Sequence, residues 1–495
     1  MQPEQSASDD KSLGRLVAKN TFYLTASQAL TVPIAILVNA ALARFLGPAD
    51  FGFIYLASTL CAFGFLVVNW GHYSALPALV ARDRSRAGAL LGSSIVWRLV
   101  FSVVVYLLLS LGCKLLGYDA DLQWALGLTF LITGLAALIA ACKDTIRGFE
   151  RTDIPAYVHV GQQFLTAALV VPALFLGGRL RMSLFVQIPA SALVLALTWR
   201  ALRPVGIGAL SYQRSALKAL TIEGTPFVFF GLAAALQPNI DAVFLSKLAP
   251  SEVMGYFAVS RRLIGVLLFP AGSLVSALYP TLCRLHVEDH AGFRRVTRGA
   301  FSSVALLSVP VAMGCFLYPE IGVSMFSRKS FGAAEDNLRI LSVFLFLLYF
   351  SMPLGACVLA AGRQKAFSLV QALCVLVSLV LDPILVPIFQ RRYGNGGLGI
   401  CVATVISEAL VVACGVGLTP RGVFERGLLR SLSLAAVAGG LMALAARLMR
   451  PFLSPFLAAP LSLAVYVVAL WLTGAIDKAQ LAAVKATVAR KLSRK

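Results

Sequence analysis

Residues 46–53 read Leu-Gly-Pro-Ala-Asp-Phe-Gly-Phe, and residues 248–256 read Leu-Ala-Pro-Ser-Glu-Val-Met-Gly-Tyr. The second phrase repeats the first at an offset of 202, which becomes 203 after the extra residue Met254. Each copy lies between long apolar segments. Internal repeats of this kind are typical of secondary transporters, so the phrase predicts a membrane protein built from two related halves.

Two further matches extend the repeat on both sides of the insertion. The offset of 203 aligns Leu-Pro-Ala-Leu at 76–79 with Tyr-Pro-Thr-Leu at 279–282, and the offset of 202 aligns Asn39 with Asp241. Because one register holds before and after a single insertion, we interpret the pattern as a duplication.

The composition indicates that the solvent of this chain is lipid. Hydrophobic residues make up 59% of the 495 residues and charged residues only 13%, whereas soluble proteins have roughly 45–50% and about 25%. The first 18 residues are polar without a cleavable signal pattern, so the first apolar segment is expected to stay as a membrane helix. Nine cysteines form no Cys-x-x-Cys pair, so we expect small core residues, no metal and no bound cofactor.

Fourteen apolar runs of about 20 residues are each long enough to cross ~30 Å of hydrocarbon. They lie at 20–43, 52–75, 88–113, 121–142, 155–177, 182–200, 225–246, 254–283, 299–319, 338–361, 366–389, 397–417, 428–447 and 453–474. We therefore predict an all-α polytopic membrane protein of about 14 transmembrane helices, with two parallel six-helix repeats and two additional C-terminal helices.

The basic residues indicate an orientation. The chain has 43 Lys and Arg against 22 Asp and Glu, a net charge of +21. The gaps and span ends on the side of the N-terminus carry 28 of the basic residues, those on the other side carry 12, and three lie deep inside spans. The positive-inside rule accounts for this split, places both termini in the cytoplasm and makes nucleic-acid binding unnecessary.

The spans and gaps divide the chain into six regions. These are a cytoplasmic N-terminal tail at 1–19, a six-helix bundle at 20–202, a cytoplasmic linker at 203–224, a second six-helix bundle at 225–417, the two extra helices at 418–474 and a basic cytoplasmic tail at 475–495.

Charged residues inside the spans are the main candidates for function, because each costs ~2.5–3.5 kcal/mol on insertion scales and usually faces a cavity or a partner. They are Arg98, Asp241, Arg261, Arg262, Asp382 and Glu408. Arginine binds phosphate oxygens through a planar fork of donors, so the cations favour an anionic headgroup such as a diphosphate. Arg98 is the first choice, and because Arg261 and Arg262 point about 100° apart on a helix, only one of the two is expected to face a cavity.

The acidic residues within spans have structural or functional interpretations. A structural ion pair between Asp241 and one of the following arginines is as consistent with the sequence as a role with substrate. Asp382 precedes Pro383, a step that kinks a helix and serves either as a hinge or as an ion site. Glu408 lies deep in the twelfth span and is likewise an ion-coupling candidate.

Several segments resemble the bacterial polysaccharide (Wzx-type) flippases of the multidrug/oligosaccharidyl-lipid/polysaccharide exporter superfamily. The similarity covers nearly the whole chain, and the segments that carry it are 20–57, 239–241 with 248–250, 258–263, 276–280, 360–365 and 399–408. The resemblance implies transport of an undecaprenyl-diphosphate-linked oligosaccharide from the inner to the outer leaflet of the bacterial cytoplasmic membrane by alternating access. The product would be O-antigen, capsule or exopolysaccharide.

The resemblance also implies partners and a site. Membrane lipids, a polysaccharide polymerase and glycosyltransferases are the expected neighbours, and an H+ or Na+ gradient is the expected energy source. With the family's central cationic cavity, Arg98, Arg261 and Arg262 are joined by Arg44 and Asn39 as expected contacts of the diphosphate and sugars. Asp241, Asp382 and Glu408 are the expected ion-coupling or hinge residues.

Four alternatives remain open from the sequence. A lipid II flippase of the same superfamily has 14 spans, but the arginine-rich first span typical of that group is not seen here. A drug/cation antiporter would carry acids rather than arginines in its cavity. A membrane glycosyltransferase, polymerase or ligase would carry a large loop or a catalytic acid constellation, and no gap exceeds about 25 residues. A scaffold for polysaccharide assembly would not need buried charges.

Overall fold

The computed structural model describes residues 3–420, 422–424 and 426–474, and these residues form helices and turns without a strand. The helices are α1 Pro3–Asn69, α2 His72–Arg82, α3 Ala87–Leu115, α4 Ala120–Gly148, α5 Asp153–Phe175, α6 Leu180–Phe185, α7 Gln187–Arg200, α8 Arg214–Leu248, α9 Ser251–Leu267, α10 Phe269–Glu288, α11 His290–Leu317, α12 Pro319–Phe326, α13 Arg328–Phe331, α14 Ala334–Ala360, α15 Gln364–Tyr393, α16 Gly397–Leu418, α17 Arg426–Met449 and α18 Pro455–Leu472. The all-α prediction is confirmed. In lipid, only a helix or a closed barrel satisfies every backbone polar group, which explains why apolar runs of this length become helices.

The described residues contain eleven helical segments that are long and apolar enough to cross a membrane, or twelve when the bent pair α9 and α10 is counted as one span. One of these segments, Ala26–Arg82, has 57 residues, so at 1.5 Å per residue it is roughly 85 Å long, enough for two crossings. The chain is therefore a multi-pass membrane protein. The number fourteen, the orientation and the duplication stay predictions, and the basic tail at 475–495 lies outside the described residues.

The first copy of the repeated phrase breaks α1. Gly47 has φ 79° and ψ 178° inside this helix, a conformation that glycine adopts far more readily than other residues. Pro48 follows and lacks the N–H that a continuous helix would need. This break separates the segments that the sequence predicts as the first and second spans.

The two copies of the phrase lie against each other. A Cβ atom built on Gly52 would come within 2.6 Å of the carbonyl oxygen of Ser251, and one built on Gly255 would overlap the carbonyl oxygen of Pro48. Both are backbone atoms, so no flexible side chain could move aside. Glycine at both positions allows α1 and α9 to approach backbone to backbone.

The chain forms two compact units, the first up to Ala258 and the second from Val259. In the first unit α4 packs against α1, α2, α3 and α7, and α8 packs against α1, α2 and α3. The first unit thus extends beyond the linker predicted at 203–224. In the second unit α14 packs against α11 and α16, α15 packs against α16, and α17 packs against α11 and α18.

Two turns share one capping geometry. Asp83, before α3, has φ −145° and ψ 94°, and Asp289, before α11, has φ −149° and ψ 93°. Each carboxylate accepts a 3.0 Å hydrogen bond from the backbone N–H two residues later, that of Ser85 or Ala291. Hydrogen bonds from Ser85 lower the pKa of Asp83, and those from the backbone of Gly292 and Ala291 lower the pKa of Asp289.

Candidate functional site

The first unit contains a break within a candidate span. α1 ends at Asn69 and α2 begins at His72, while Trp70 (φ 39°) and Gly71 (φ 67°) between them have left-handed backbones. A Cβ atom on Gly71 would overlap the carbonyl oxygen of Gly224, so α8 approaches the break closely. A non-glycine residue in this region costs of order 1–3 kcal/mol and persists only when its surroundings hold it, which is common at functional sites. Broken helices are also where transporters bind substrates and ions.

Aromatic rings surround this break. The ring of Trp97 on α3 lies 5.8 Å from that of Trp70 and 5.9 Å from that of His72, centroid to centroid, and it stacks on Phe101 at 3.9 Å. The imidazole of His72 is fully buried, and its Nδ1 shares a 3.0 Å hydrogen bond with Oγ of Ser94. The break therefore has a mixed aromatic and polar lining.

Arg98 follows Trp97 and is 1% exposed. Its Nη1 donates a hydrogen bond to the carbonyl oxygen of Ala137 on α4, and its charge acts on Asp144, which is also buried and pairs with Arg147 at 3.2 Å. These contacts offset part of the cost of placing a guanidinium in the membrane. In this conformation the guanidinium is closed to solvent, so a ligand would reach it only after movement of the neighbouring helices. We call Asn69, Trp70, His72, Trp97 and Arg98 the break cluster.

Three other predicted residues of the first unit occupy different environments. Asn39 is half-buried, and its Nδ2 donates a 2.7 Å hydrogen bond to the carbonyl of Ala35 on its own helix. Arg44 is exposed, and Asp241 on α8 is 2% exposed. None of the contacts described above joins these three residues to Arg98.

The second unit brings Arg261 and Glu408 together. Glu408 on α16 is 9% exposed and accepts a hydrogen bond from the hydroxyl of Ser351 on α14. The guanidinium of Arg261 on α9 is half-buried, lies 5.6 Å from the ring centroid of Phe344, and its charge acts on Glu408. Arg262, the next residue, is also half-buried.

Polar side chains continue from Glu408 along the contact between α15 and α16. Oγ of Ser378 and Oγ of Ser407 are 3.3 Å apart, and Sγ of Cys374 donates to the carbonyl of Ser407 at 3.3 Å. Asp382 lies one turn beyond Ser378 and is fully buried. We call Cys374, Ser378, Asp382, Ser407 and Glu408 the acidic stripe. Within the part of the chain that the structure describes, no group of three His, Cys, Asp or Glu residues could hold a metal ion.

An apolar groove of about 460 Å³ lies in the second unit between α11, α14 and α17. Residues that line it include Val309, Met313, Phe316, Phe346, Leu432 and Gly439. Because the groove is lined almost entirely by apolar side chains, it suits a hydrocarbon chain rather than a polar group.

Sequence reasoning missed the break cluster apart from Arg98, and it missed the groove. The available signal for the cluster was the order Asn69-Trp70-Gly71-His72, in which a glycine is flanked by polar and aromatic residues late in an apolar run. The groove had no comparable signal, because its lining comes from three separate helices.

A family model described as polysaccharide biosynthesis protein matches residues 17–286, more than half of the chain. This match confirms the resemblance stated from the sequence. None of the curated proteins is similar enough in sequence to match.

Solved structures show the same fold at low sequence identity. A lipid II flippase MurJ in an inward closed conformation has a TM-score of 0.70 and 14% identity over 92% of this chain and 99% of that chain. An inward-facing multidrug resistance MATE family transporter of the MOP superfamily has a TM-score of 0.60 and 17% identity, covering 78% and 94%. A MOP superfamily transporter from Pyrococcus furiosus has a TM-score of 0.54 and 15% identity, covering 81% and 94%.

Proposed function

The chain belongs to the polysaccharide biosynthesis protein family, as a multi-pass transporter of the multidrug/oligosaccharidyl-lipid/polysaccharide exporter superfamily, and we propose that its cargo is an undecaprenyl-diphosphate-linked oligosaccharide. The transporter moves this lipid from the inner to the outer leaflet of the bacterial cytoplasmic membrane by alternating access, with both termini in the cytoplasm. Glycosyltransferases supply the cargo and a polysaccharide polymerase consumes it.

Buried arginines support an anionic headgroup. Arg98 is enclosed in the first unit, and Arg261 is half-buried in the second. Each guanidinium is permanently charged and presents a planar fork of donors, which matches phosphate oxygens better than a lysine would. We assign the diphosphate to Arg98, and we expect Arg261, Arg262, Arg44 and Asn39 to be further contacts along its path.

The apolar groove supports a lipid-linked cargo. A polyprenyl chain needs an apolar surface at membrane depth. The groove between α11, α14 and α17 has a volume of about 460 Å³ and a lining of mostly apolar side chains. If the polyprenyl group stays in contact with this groove and with lipid, the free-energy cost of moving it through a polar cavity is avoided.

The acidic stripe supports coupling to a cation. Glu408 accepts a hydrogen bond from the hydroxyl of Ser351, and Asp382 is buried one turn beyond Ser378. Protonatable carboxylates at membrane depth are typical of ion pathways. We assign H+ or Na+ coupling to these two residues. Asp241, which is buried in the first unit, is the third carboxylate of this proposal.

The single observation that carries the proposal is the family match over residues 17–286 together with buried arginines in a multi-pass chain. The test is reconstitution of the full chain into proteoliposomes with a fluorescent undecaprenyl-diphosphate-linked sugar. A membrane-impermeant quencher then reports how much probe lies in each leaflet. The proposal expects protein-dependent equilibration of this probe.

Parallel assays with lipid II and with a cationic dye separate the closest alternatives. Transport of lipid II alone would instead make the protein a lipid II flippase, and transport of the dye alone would make it an antiporter. Elongation of the sugar chain in the same vesicles would identify an enzyme and would overturn the proposal.

A further inference from the structure

The break cluster holds polar atoms that its own neighbours do not satisfy. Among the residues that the structure describes, Oδ1 of Asn69, Nε2 of His72, Nε1 of Trp97, and Nε and Nη2 of Arg98 are buried without a hydrogen-bond partner. His72 and Arg98 are at most 1% exposed. An unsatisfied buried donor or acceptor costs about 1–3 kcal/mol, so five of them in one cluster need an explanation.

Two tryptophans in this cluster show that the pattern is local. Nε1 of Trp70 donates a 3.2 Å hydrogen bond to Oγ1 of Thr225, whereas Nε1 of Trp97, on the ring 5.8 Å away, has no such partner. A buried indole N–H usually finds a partner. The N–H of Trp97 is therefore available to a bound molecule, while Trp70 is fixed in place by α8.

The chemistry of the five atoms restricts that molecule. Arg98 and Trp97 supply only donors, Oδ1 of Asn69 supplies only an acceptor, and Nε2 of His72 supplies either, depending on its tautomer. A bare phosphate could satisfy the donors but would meet the amide oxygen of Asn69 with another oxygen. Hydroxyl groups both donate and accept, so a polyol can satisfy all of these atoms.

The rings supply the second requirement of a sugar. A pyranose has apolar C–H faces that pack on aromatic rings and hydroxyl groups around its rim. Trp70, Trp97 and Phe101 place three rings in the cluster that holds the unsatisfied polar atoms. Tyr73, which follows His72, packs against Phe227 at 6.1 Å, and both rings are exposed. No other feature described above combines these two properties.

We propose that the break cluster is the sugar subsite of the transporter, which takes the sugar directly attached to the diphosphate by stacking on Trp97 and hydrogen bonding to Asn69, His72 and Trp97. This inference rests on the proposed function. Arg98 then lies at the junction, where its guanidinium faces the diphosphate on one side and the first sugar on the other. Asn69 and His72 flank the two residues with left-handed backbones, Trp70 and Gly71.

The test measures binding of the full-length protein to bare undecaprenyl diphosphate and to a panel of the same lipid carrying glucose, galactose or N-acetylglucosamine. The wild type is expected to bind at least one sugar-bearing lipid about tenfold more tightly than the bare lipid, as one hydrogen bond and a stacking contact would provide. Trp97→Phe and His72→Gln are each expected to remove most of that gain and to leave binding of the bare lipid unchanged. Trp124→Phe, at an exposed tryptophan on α4, is the matched control.

The outcomes separate this inference from the proposed function. If no sugar-bearing lipid binds more tightly than the bare lipid, or if the gain survives both substitutions, the sugar subsite is refuted while a diphosphate site stands. If a variant weakens both kinds of lipid equally, the cluster has a structural role only, and the inference is likewise refuted. If the wild type binds neither kind of lipid, the proposed function itself fails.

Discussion

The two units of this chain carry different groups of polar side chains at membrane depth. In the first unit Arg98 donates to a backbone carbonyl, and Trp97, which precedes it, lies beside Trp70 with its N–H unsatisfied. In the second, Glu408 accepts a hydrogen bond from Ser351, Asp382 is fully buried, and Arg261 packs over a phenylalanine ring. The two bundles that the sequence predicts to be related halves therefore present different side chains at these positions. We infer a division of labour, in which Arg98 of the first unit recognises the headgroup and Asp382 and Glu408 of the second couple transport to an ion.

The largest effect is expected at Arg98. Arg98→Ala removes the cation that faces the diphosphate and leaves Asp144 without one of its charge partners. Because a hydrogen bond to a charged group contributes up to about 3 kcal/mol, flipping should slow by about 100-fold or more. Arg181→Ala, which opens an exposed 2.9 Å ion pair with Asp121, is the control and should flip normally. Normal flipping by Arg98→Ala at wild-type protein levels would remove Arg98 from the mechanism.

Glu408→Gln should abolish coupling without preventing cargo binding. The amide oxygen of glutamine can still accept the hydrogen bond from Ser351, but it cannot carry or release a charge. Since one elementary charge in a potential of 100 mV corresponds to about 2.3 kcal/mol, the steady-state leaflet ratio driven by the gradient should fall by up to about 50-fold. Ser351→Ala removes only the hydrogen bond to Glu408 and keeps the carboxylate, so the leaflet ratio should fall by less than in Glu408→Gln. Unchanged gradient dependence in Glu408→Gln would assign the coupling elsewhere.

Gly255→Ala tests the contact between the two copies of the repeated phrase. The added Cβ atom would overlap the carbonyl oxygen of Pro48, and overpacking of this kind typically costs about 1–3 kcal/mol. We expect a lower melting temperature in detergent. Gly112→Ala, where a Cβ atom meets nothing within 4 Å, should not lower it. Equal melting temperatures for both variants would contradict a tight backbone contact at Gly255.

The smallest effect is expected at the capped turn before α3. The pKa of Asp83 is lowered in the folded state, so its carboxylate stabilises the fold above the unfolded value of 3.8, and this contribution is lost as the pH falls through the lower folded value. Asp83→Asn should therefore lower the melting temperature slightly at pH 7, and the difference should shrink below pH 3.8. A difference that grows in acid would have the wrong sign for this cap.

Much of the fold followed from the sequence because membrane helices have a strong local signal. Long apolar runs predicted the all-α fold. The repeated phrase at 46–53 and 248–256 predicted a duplication, and the structure adds that its two copies lie in contact. Charges within spans also identified Arg98, Arg261 and Glu408 as residues worth locating, because lipid makes such residues rare. That Arg261 lies near Glu408 could not be read from a separation of 147 positions.

What the sequence did not reveal depends on tertiary contacts. The left-handed backbone at Trp70 is held partly by its hydrogen bond to Thr225 and by the approach of Gly224 to Gly71, both more than 150 positions away. The burial of Arg98 likewise depends on the carbonyl of Ala137 on another helix. Propensity and periodicity describe one helix at a time, so they predict which residues are unusual but not which of them meet.

The division of labour is tested most directly by measuring initial flipping rates in proteoliposomes against cargo concentration, with and without an ion gradient, for Arg98→Lys and Glu408→Gln side by side. We expect Arg98→Lys to raise the cargo concentration needed for half-maximal rate while its response to the gradient stays that of the wild type. Glu408→Gln should lose the response to the gradient, while the cargo concentration needed for half-maximal rate stays that of the wild type. If both variants lose cargo affinity and gradient response together, the two units do not have separate roles and the account is wrong.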